Sequence, residues 1–365
     1  MDRRQFLIGG GTLAALGAGT WYVGAKQMGS SSDYDEAAKS MRAMLSAYPE
    51  AVDLIRYATL APNGHNTQPW RFDIAPHRIT IRPDFSRRTP VVDPDDHHVF
   101  VSLGCAAETL ALAATARGHA GNLRFDNSGD GRIAFDYRDS APAPSALFDA
   151  IPKRQSTRGD YDGRAISPSE LKTLAAAAAI PRVDLILMTD PPRMNQLRDL
   201  VVSGNNAQMS DPTFIRELKS WIRFNPRDAL MSGDGLYSAA SGSPTLPDWL
   251  GQRAFNLLVT AKSESDNYAR QLRSSSGIAV FAGARADHEH WVAVGRACQR
   301  FALQATALGL KCAFVNQPVE VAALRPALAA LVGMPGRRPD IVMRFGRGPS
   351  LPYSLRRPAT TVIAS

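Results

Sequence analysis

Three stretches of this chain bring hydrogen-bonding side chains together at spacings that could do chemistry. Residues 61–72 read APNGHNTQPWRF, so Asn63, His65, Asn66 and Gln68 place three amides and an imidazole within six residues. Pro and Gly around them favour turns. Such a loop either joins a helix to a strand and does no more, or it reads the polar edge of a ligand. Residues 153–164 read KRQSTRGDYDGR. Arg154, Ser156 and Arg158 alternate, so in an extended segment they share one face. That makes either a phosphate clamp or a solvated basic loop. Further on, LRRPATTV sets Arg356 and Arg357 before a proline, a second basic element.

The elements that must position these groups follow from periodicity. Val52, Ile55 and Leu60 have helical spacing, which predicts a helix over 51–60. Trp70 and Phe72 alternate with Arg71 as a strand begins. The polar loop is held between the two. Strands are expected over 70–74, 78–82, 122–125 and 132–137, then over 183–188, 277–282 and 341–345. Residues 108–118 (ETLALAATARG) and 299–309 (QRFALQATALG) share Ala, Leu, Ala, Thr, Ala and Gly at a constant offset of 191. Each is preceded by a Val-rich run with a histidine and a glycine, which predicts two long, nearly all-apolar helices in the middle of a core. The chain therefore reads as α+β, in two tandem halves. Between 203 and 276 turn formers dominate, with short helices among them. Trp221, Phe224, Tyr237 and Trp249 argue that this stretch is ordered, as a lid.

With 365 residues, 44% hydrophobic and 21% charged, the chain can build a real core in one large domain or two ordinary ones. Its formal charge of +8 is scattered, without a dense basic block interleaved with aromatics. That argues against nucleic acid as a partner and suits a phosphate-bearing small ligand. Cys105, Cys298 and Cys312 make neither a disulfide framework nor a metal spacing. VDPDDHH (92–98) and DHEH (287–290) offer metal-ligand residue types, but each precedes a predicted helix, where acids favour the N-terminus, and no metal is expected.

The first residues, MDRRQFLIGGG, carry Arg3 and Arg4, and no charge follows from Gln5 to Ala25. This resembles a twin-arginine export signal. It predicts that the twin-arginine export machinery is a partner and that the folded protein reaches the periplasm or cell envelope. Left uncleaved, the run is long enough to anchor in the inner membrane, the one membrane contact expected. SSSDYDE reads as a linker, which assigns 1–34 to signal and linker.

On these motifs the chain resembles the FMN-dependent nitroreductase superfamily. APNGHNTQPW is similar to that superfamily's Pro-Ser-x-x-Asn-x-Gln-Pro-Trp loop, and RQSTR to its Arg-Arg-Ser-x-Arg opening. ALGLKCAFVNQPVE resembles its helix-to-flavin loop, and LRRPATTV its basic tail. The loop lies in the first half and the arginine segment opens the second. That order resembles the tandem, Acg-like branch, in which one chain folds as a pseudo-dimer of nitroreductase-like halves, here 35–150 and 151–365 with the lid inserted. Asn63 stands where the family usually has Ser, and Asn316-Gln317 where it often has Glu-Gly.

The resemblance implies one FMN in a composite site, because neither motif is duplicated. Arg154, Ser156, Arg158 and Arg356 or Arg357 would hold the phosphate. Asn63, Asn66 and Gln68 would read ring and ribityl oxygens, while His65 would position substrate or make a structural hydrogen bond. A main-chain N–H near Asn316 would face the reactive nitrogen, and Trp70, Gln155, Phe314 and Gln317 lie in the same motifs. No catalytic acid–base pair is required of the protein. The implied activity is two-electron reduction of nitro-aromatic or quinone-type substrates. The alternative is a flavin-holding protein whose lid bars turnover. The electron donor is not named by any motif.

Overall fold

The computed structural model describes residues 28–364. Arg3, Arg4 and the uncharged run of 5–25 lie outside them. The stretch expected as a linker is the start of a docked helix, α1 (Ser31–Met41). Serines that suit a linker also suit a cap: Ser30 Oγ accepts from the Asp33 N–H at 3.2 Å. Tyr34 anchors α1, its ring 4.3 Å from that of Tyr237 and its hydroxyl donating to Tyr353 O at 2.6 Å.

Next come α2 (Ala51–Thr59), the polar loop, β1 (Trp70–Ala75), β2 (Arg78–Pro83), α3 (His97–Ala116), β3 (His119–Asp126) and β4 (Arg132–Asp139). The four strands form an antiparallel sheet in the order β1-β2-β4-β3. After β5 (Val183–Met188) the chain makes a long excursion. It runs through α4 (Pro191–Met209), α5 (Pro212–Ser220), the two-residue strands β6 (Ile222–Arg223) and β7 (Leu236–Tyr237) either side of α6 (Pro226–Ser232), α7 (Asp248–Leu258) and α8 (Ala261–Arg273). Then follow β8 (Gly277–Gly283), α9 (His288–Ala307), β9 (Lys311–Phe314) and β10 (Ile341–Gly346). The second sheet has the order β5-β8-β10-β9, again antiparallel throughout. In both sheets a long helix enters between the second and third strands of the chain, and the last strand inserts inside the third. Four-residue β9 is too short to show an alternation, which is why it went unread.

The expected lid is mostly helical, not turn-dominated. Many of its turn formers are caps: Asp211 and Asn225 accept from the N–H groups of Thr213 and Asp228, each with a proline in the first turn.

The two central helices, α3 and α9, are each twenty residues long and begin 191 positions apart, at His97 and His288. They cross at glycines. A Cβ on Gly104 would lie 2.1 Å from Val292 O, and one on Gly295 would lie 2.0 Å from Val101 O. Positions 101 and 292 differ by the same offset as 104 and 295, so the contact is reciprocal, as across a two-fold axis. Only glycine permits that backbone approach. One apolar core takes in Phe72 and Phe135 of the first sheet, Phe281 and Phe345 of the second, and both helices. By length and composition α3 could cross a membrane, yet 83% of its apolar window is buried in this core. The C-terminal tail returns to the first sheet, where the Ala364 N–H donates to Phe72 O at 2.8 Å.

Candidate functional site

A cavity of about 540 Å³ lies between the polar loop, the start of α3, residues 314–317 and the excursion after β5. That is a common size for a pocket holding a small ligand or cofactor. Of the residues expected to bind, Asn63, His65, Arg158, Phe314, Asn316 and Gln317 line it. Both halves contribute. The others are placed elsewhere, each for an identifiable reason.

The polar loop is strained. His65, Asn66 and Gln68 have φ of 45°, 56° and 56°, each costing of order 1–3 kcal/mol. Its own amides hold it in that shape. Asn63 Oδ1 accepts from the Gln68 N–H at 2.8 Å. Asn66 Nδ2 donates to Gly235 O at 3.0 Å and Leu355 O at 3.1 Å. Gln68 Nε2 donates to Gly233 O, and its Oε1 accepts from the Arg357 N–H, both at 2.9 Å. The Arg357 guanidinium closes the brace on Gln68 O at 2.7 Å. Asn66, Gln68 and Arg357 thus tie the loop to the excursion and the tail, and none of them lines the cavity. Trp70 is wholly buried in the core.

The arginines divide in the same way. Arg154 donates to Leu60 O at 3.0 Å, and Arg356 donates to Thr59 O at 2.6 Å, Leu60 O at 3.3 Å and Ala61 O at 3.2 Å. Those carbonyls end α2, so both side chains cap a helix C-terminus. Gln155 closes on Leu351, donating to its carbonyl at 2.7 Å, and the Ser156 backbone bridges Cys312. Arg154 has extended backbone and Ser156 lies in a β-bridge, but the end of α2 takes up the Arg154 side chain, so the three do not converge on one ligand. Arg158 alone of the expected clamp meets the cavity. Among the described residues no carboxylate lies within ion-pair distance of it.

Burial pushes the His65 imidazole down to about 4, with the Arg158 charge and then His98 adding to the effect. It is therefore neutral at neutral pH, and its buried Nδ1 has no partner. Gln317 Oε1 is also buried without one. Asn316 is engaged, its Oδ1 accepting from the Val342 N–H at 2.9 Å. Unmet polar atoms beside an unpaired guanidinium mark a wall that a polar ligand would complete.

Several wall residues were not foreseen. Tyr268 of α8 has its phenol pushed up to about 12 by burial. Glu320 is raised by burial and accepts from Gln208 Nε2 at 2.6 Å. Glu320 ends the ALGLKCAFVNQPVE motif, which could have flagged it, whereas Tyr268 sat in a stretch read as turns. The excursion roofs the cavity with Phe214, Phe224, Leu246 and Phe255. Two polar fastenings hold that roof to the first half. Glu217 of α5 accepts from the Val91 N–H at 2.9 Å and the Val92 N–H at 3.0 Å. Asp234 pairs with Arg87, and with Arg223 at 2.6 Å.

Residues 151–348 match the sequence profile of the nitroreductase family. A Mycobacterium tuberculosis protein named as a proposed NAD(P)H nitroreductase is 27% identical over 341 residues, spanning 89% of this chain and 95% of its own length. The protein acg of the same organism, similarly named, is 24% identical over 324 residues, spanning 84% and 93%. Among solved structures, a nitroreductase with bound FMN from Desulfitobacterium hafniense is 16% identical, with a TM-score of 0.39 over 59% of this chain and 96% of that one.

Proposed function

This chain belongs to the nitroreductase family, and from that premise we propose that it is an FMN-dependent oxidoreductase reducing nitro-aromatic or quinone-type substrates by two electrons. The observation that carries this reading is the cavity wall, where the unpaired Arg158 guanidinium stands with the unmet His65 Nδ1 and Gln317 Oε1. Such a wall fits a flat, polar-edged ligand with an anionic arm. When bound, FMN supplies the redox chemistry. Arg158 would meet its anionic end, and Asn63 and Gln317 would exchange hydrogen bonds with ring edges. Neutral His65 adds a hydrogen-bonding group without adding charge beside Arg158. The fit is better at the ring than at the phosphate, because Arg154 and Arg356 are committed to α2.

We also propose that residues 35–150 and 151–365 act as a pseudo-dimer with one composite site. The common strand order, the shared offset of the central helices and the reciprocal glycine crossing support it. So does the fate of Asn205–Gln208, the nearest counterpart of the polar loop in the second half. It lies inside α4, with Asn205 Nδ2 bonded to Ala261 O and Ser265 Oγ. Export through the twin-arginine machinery to the periplasm or cell envelope completes the proposal.

One observation favours a second reading, a flavin-holding protein with little turnover: the roof sets Phe214, Phe224, Leu246 and Phe255 over the cavity and is fastened to the first half. Acid release of flavin from purified protein should yield FMN and chain in equal molar amounts. NAD(P)H with a nitro-aromatic or quinone acceptor should then bleach it. Yellow protein that NAD(P)H leaves unbleached supports the second reading. Protein that takes up no FMN overturns both.

A further inference from the structure

Asp93, His97 and His98, at the start of α3, each offer one ligand atom, and these atoms lie within 4.8 Å of one another on buried side chains. They fall within 92–98, where sequence alone leads to no metal, because adjacent histidines do not share a helix face. The cap geometry brings them together. Asp93 Oδ2 accepts from the His98 N–H at 2.9 Å and the Val99 N–H at 3.2 Å, which fixes the carboxylate over the first turn.

One imidazole is oriented from behind. His97 Nε2 lies 3.0 Å from Asp340 Oδ1, from a residue 243 positions away. The other Asp340 oxygen accepts from the Gly283 N–H at 2.7 Å. A proton on Nε2 leaves the Nδ1 lone pair of His97 free, and that nitrogen is buried without a partner. His98 is held less directly: its Nδ1 stands 3.9 Å from Glu320 Oε1, beyond hydrogen-bond distance, and its Nε2 is buried and unpartnered. Two imidazoles with unmet nitrogens, one of them hydrogen-bonded to a carboxylate behind it, beside an oriented carboxylate, match the ligand set of a metal centre and part of its surrounding shell. Arg338, a nearby cation, is already engaged by Asp95.

We propose that Asp93, His97 and His98 bind a divalent first-row transition metal ion. Two nitrogens and one carboxylate oxygen suit zinc, iron(II) or manganese. Three protein ligands leave a coordination position open. His98 and Glu320 line the cavity, so the centre would sit against the cavity wall. The site does not rest on the flavin reading.

The test uses full-length protein without a polyhistidine tag. It is loaded separately with zinc(II), iron(II) and manganese(II), passed through gel filtration, and its metal content measured by mass spectrometry. Cobalt(II) provides a visible spectrum that reports nitrogen and oxygen ligation. Asp93→Asn keeps an acceptor for the α3 cap while removing the ligand charge, and His98→Ala trims a side chain at the cavity wall. Wild type should retain metal in an equal molar amount. Affinity should fall at least ~10–100-fold in both variants, and by a similar factor in Asp340→Asn through the loss of orientation of His97. Wild-type protein that retains none of the three metals overturns the proposal. So do variants that retain metal as tightly as wild type. Should His98→Ala fail to fold, the cobalt titration of Asp93→Asn decides the matter.

Discussion

Glu217 fastens the cavity roof to the first half through two successive main-chain N–H groups, those of Val91 and Val92. Glu217→Ala removes both contacts. A hydrogen bond to a charged group is worth about 1.5–3 kcal/mol, but water can reach the freed amides and replaces part of that. A net loss of about 2–3 kcal/mol, at 1.4 kcal/mol per factor of ten, raises the population of the open roof roughly 30- to 150-fold. The Arg87–Asp234–Arg223 cluster stays in place, so the roof loosens and the protein remains folded. The assay is anaerobic stopped-flow reduction of flavin-loaded protein. Reduction by NADPH, a bulky donor, should speed up by about an order of magnitude or more if roof opening limits access. Reduction by dithionite, a small donor, should change little. Equal acceleration by both donors would refute a gating role for the roof. So would wild-type protein that already oxidises NADPH at ordinary enzyme rates.

Three further outcomes follow from the site. Arg158→Ala should weaken FMN binding about 10- to 100-fold, equivalent to ~1.5–3 kcal/mol, with thermal stability kept, as read by fluorescence titration beside a melting curve. Arg356→Ala should do the reverse, costing about 1–3 kcal/mol in urea unfolding by stranding the α2 carbonyls while flavin affinity changes little. His65 binds its proton in the unfolded chain near 6.5 but in the folded one only near about 4. Its contribution to stability is therefore complete above pH 6.5 and lost as pH falls toward 4. That amounts to about 2 kcal/mol by pH 5, and His65→Asn, which tolerates the left-handed backbone, should flatten that part of the urea-unfolding profile. Finally, Arg3→Lys with Arg4→Lys keeps the charge but should hold the protein in the cytoplasm, and cell fractionation with unchanged export would remove the twin-arginine assignment.

The strands and the two central helices were legible because alternation and long apolar runs are local properties of a chain. The site was legible only in part. Asn63 and Asn66 are the same residue type three positions apart, yet one lines the cavity and the other braces the loop. What separates them is the left-handed backbone and acceptors such as Gly235 O and Leu355 O, 169 and 289 positions away. Arg154 and Arg356 were read as phosphate ligands for a similar reason. An arginine that caps a helix and one that holds a phosphate look alike in sequence, and only the carbonyls of α2 distinguish them. The roof was read as turns because Pro, Asp and Asn begin helices as readily as they break them.

On the proposed pseudo-dimer reading, the reciprocal crossing of α3 and α9 carries an asymmetry with an evolutionary meaning. Glu108 on α3 pairs with Arg296 and Arg300, both at 2.8 Å. The position equivalent to Glu108 on α9 is Gln299, which makes a neutral hydrogen bond to Thr109 at 2.8 Å. Two identical chains meeting across such an axis must carry every substitution twice, so they could place an acid at both ends or at neither. A single gene encoding both halves escapes that constraint and can vary one side while the other stays unchanged. Covalent joining also makes the partner's effective concentration independent of dilution, so the crossing need not be strong enough to recruit a partner from solution. Selection on the second copy of any pocket is thereby relaxed. On that reading, a long helical insertion can be accepted in one half alone, where it roofs the one proposed site.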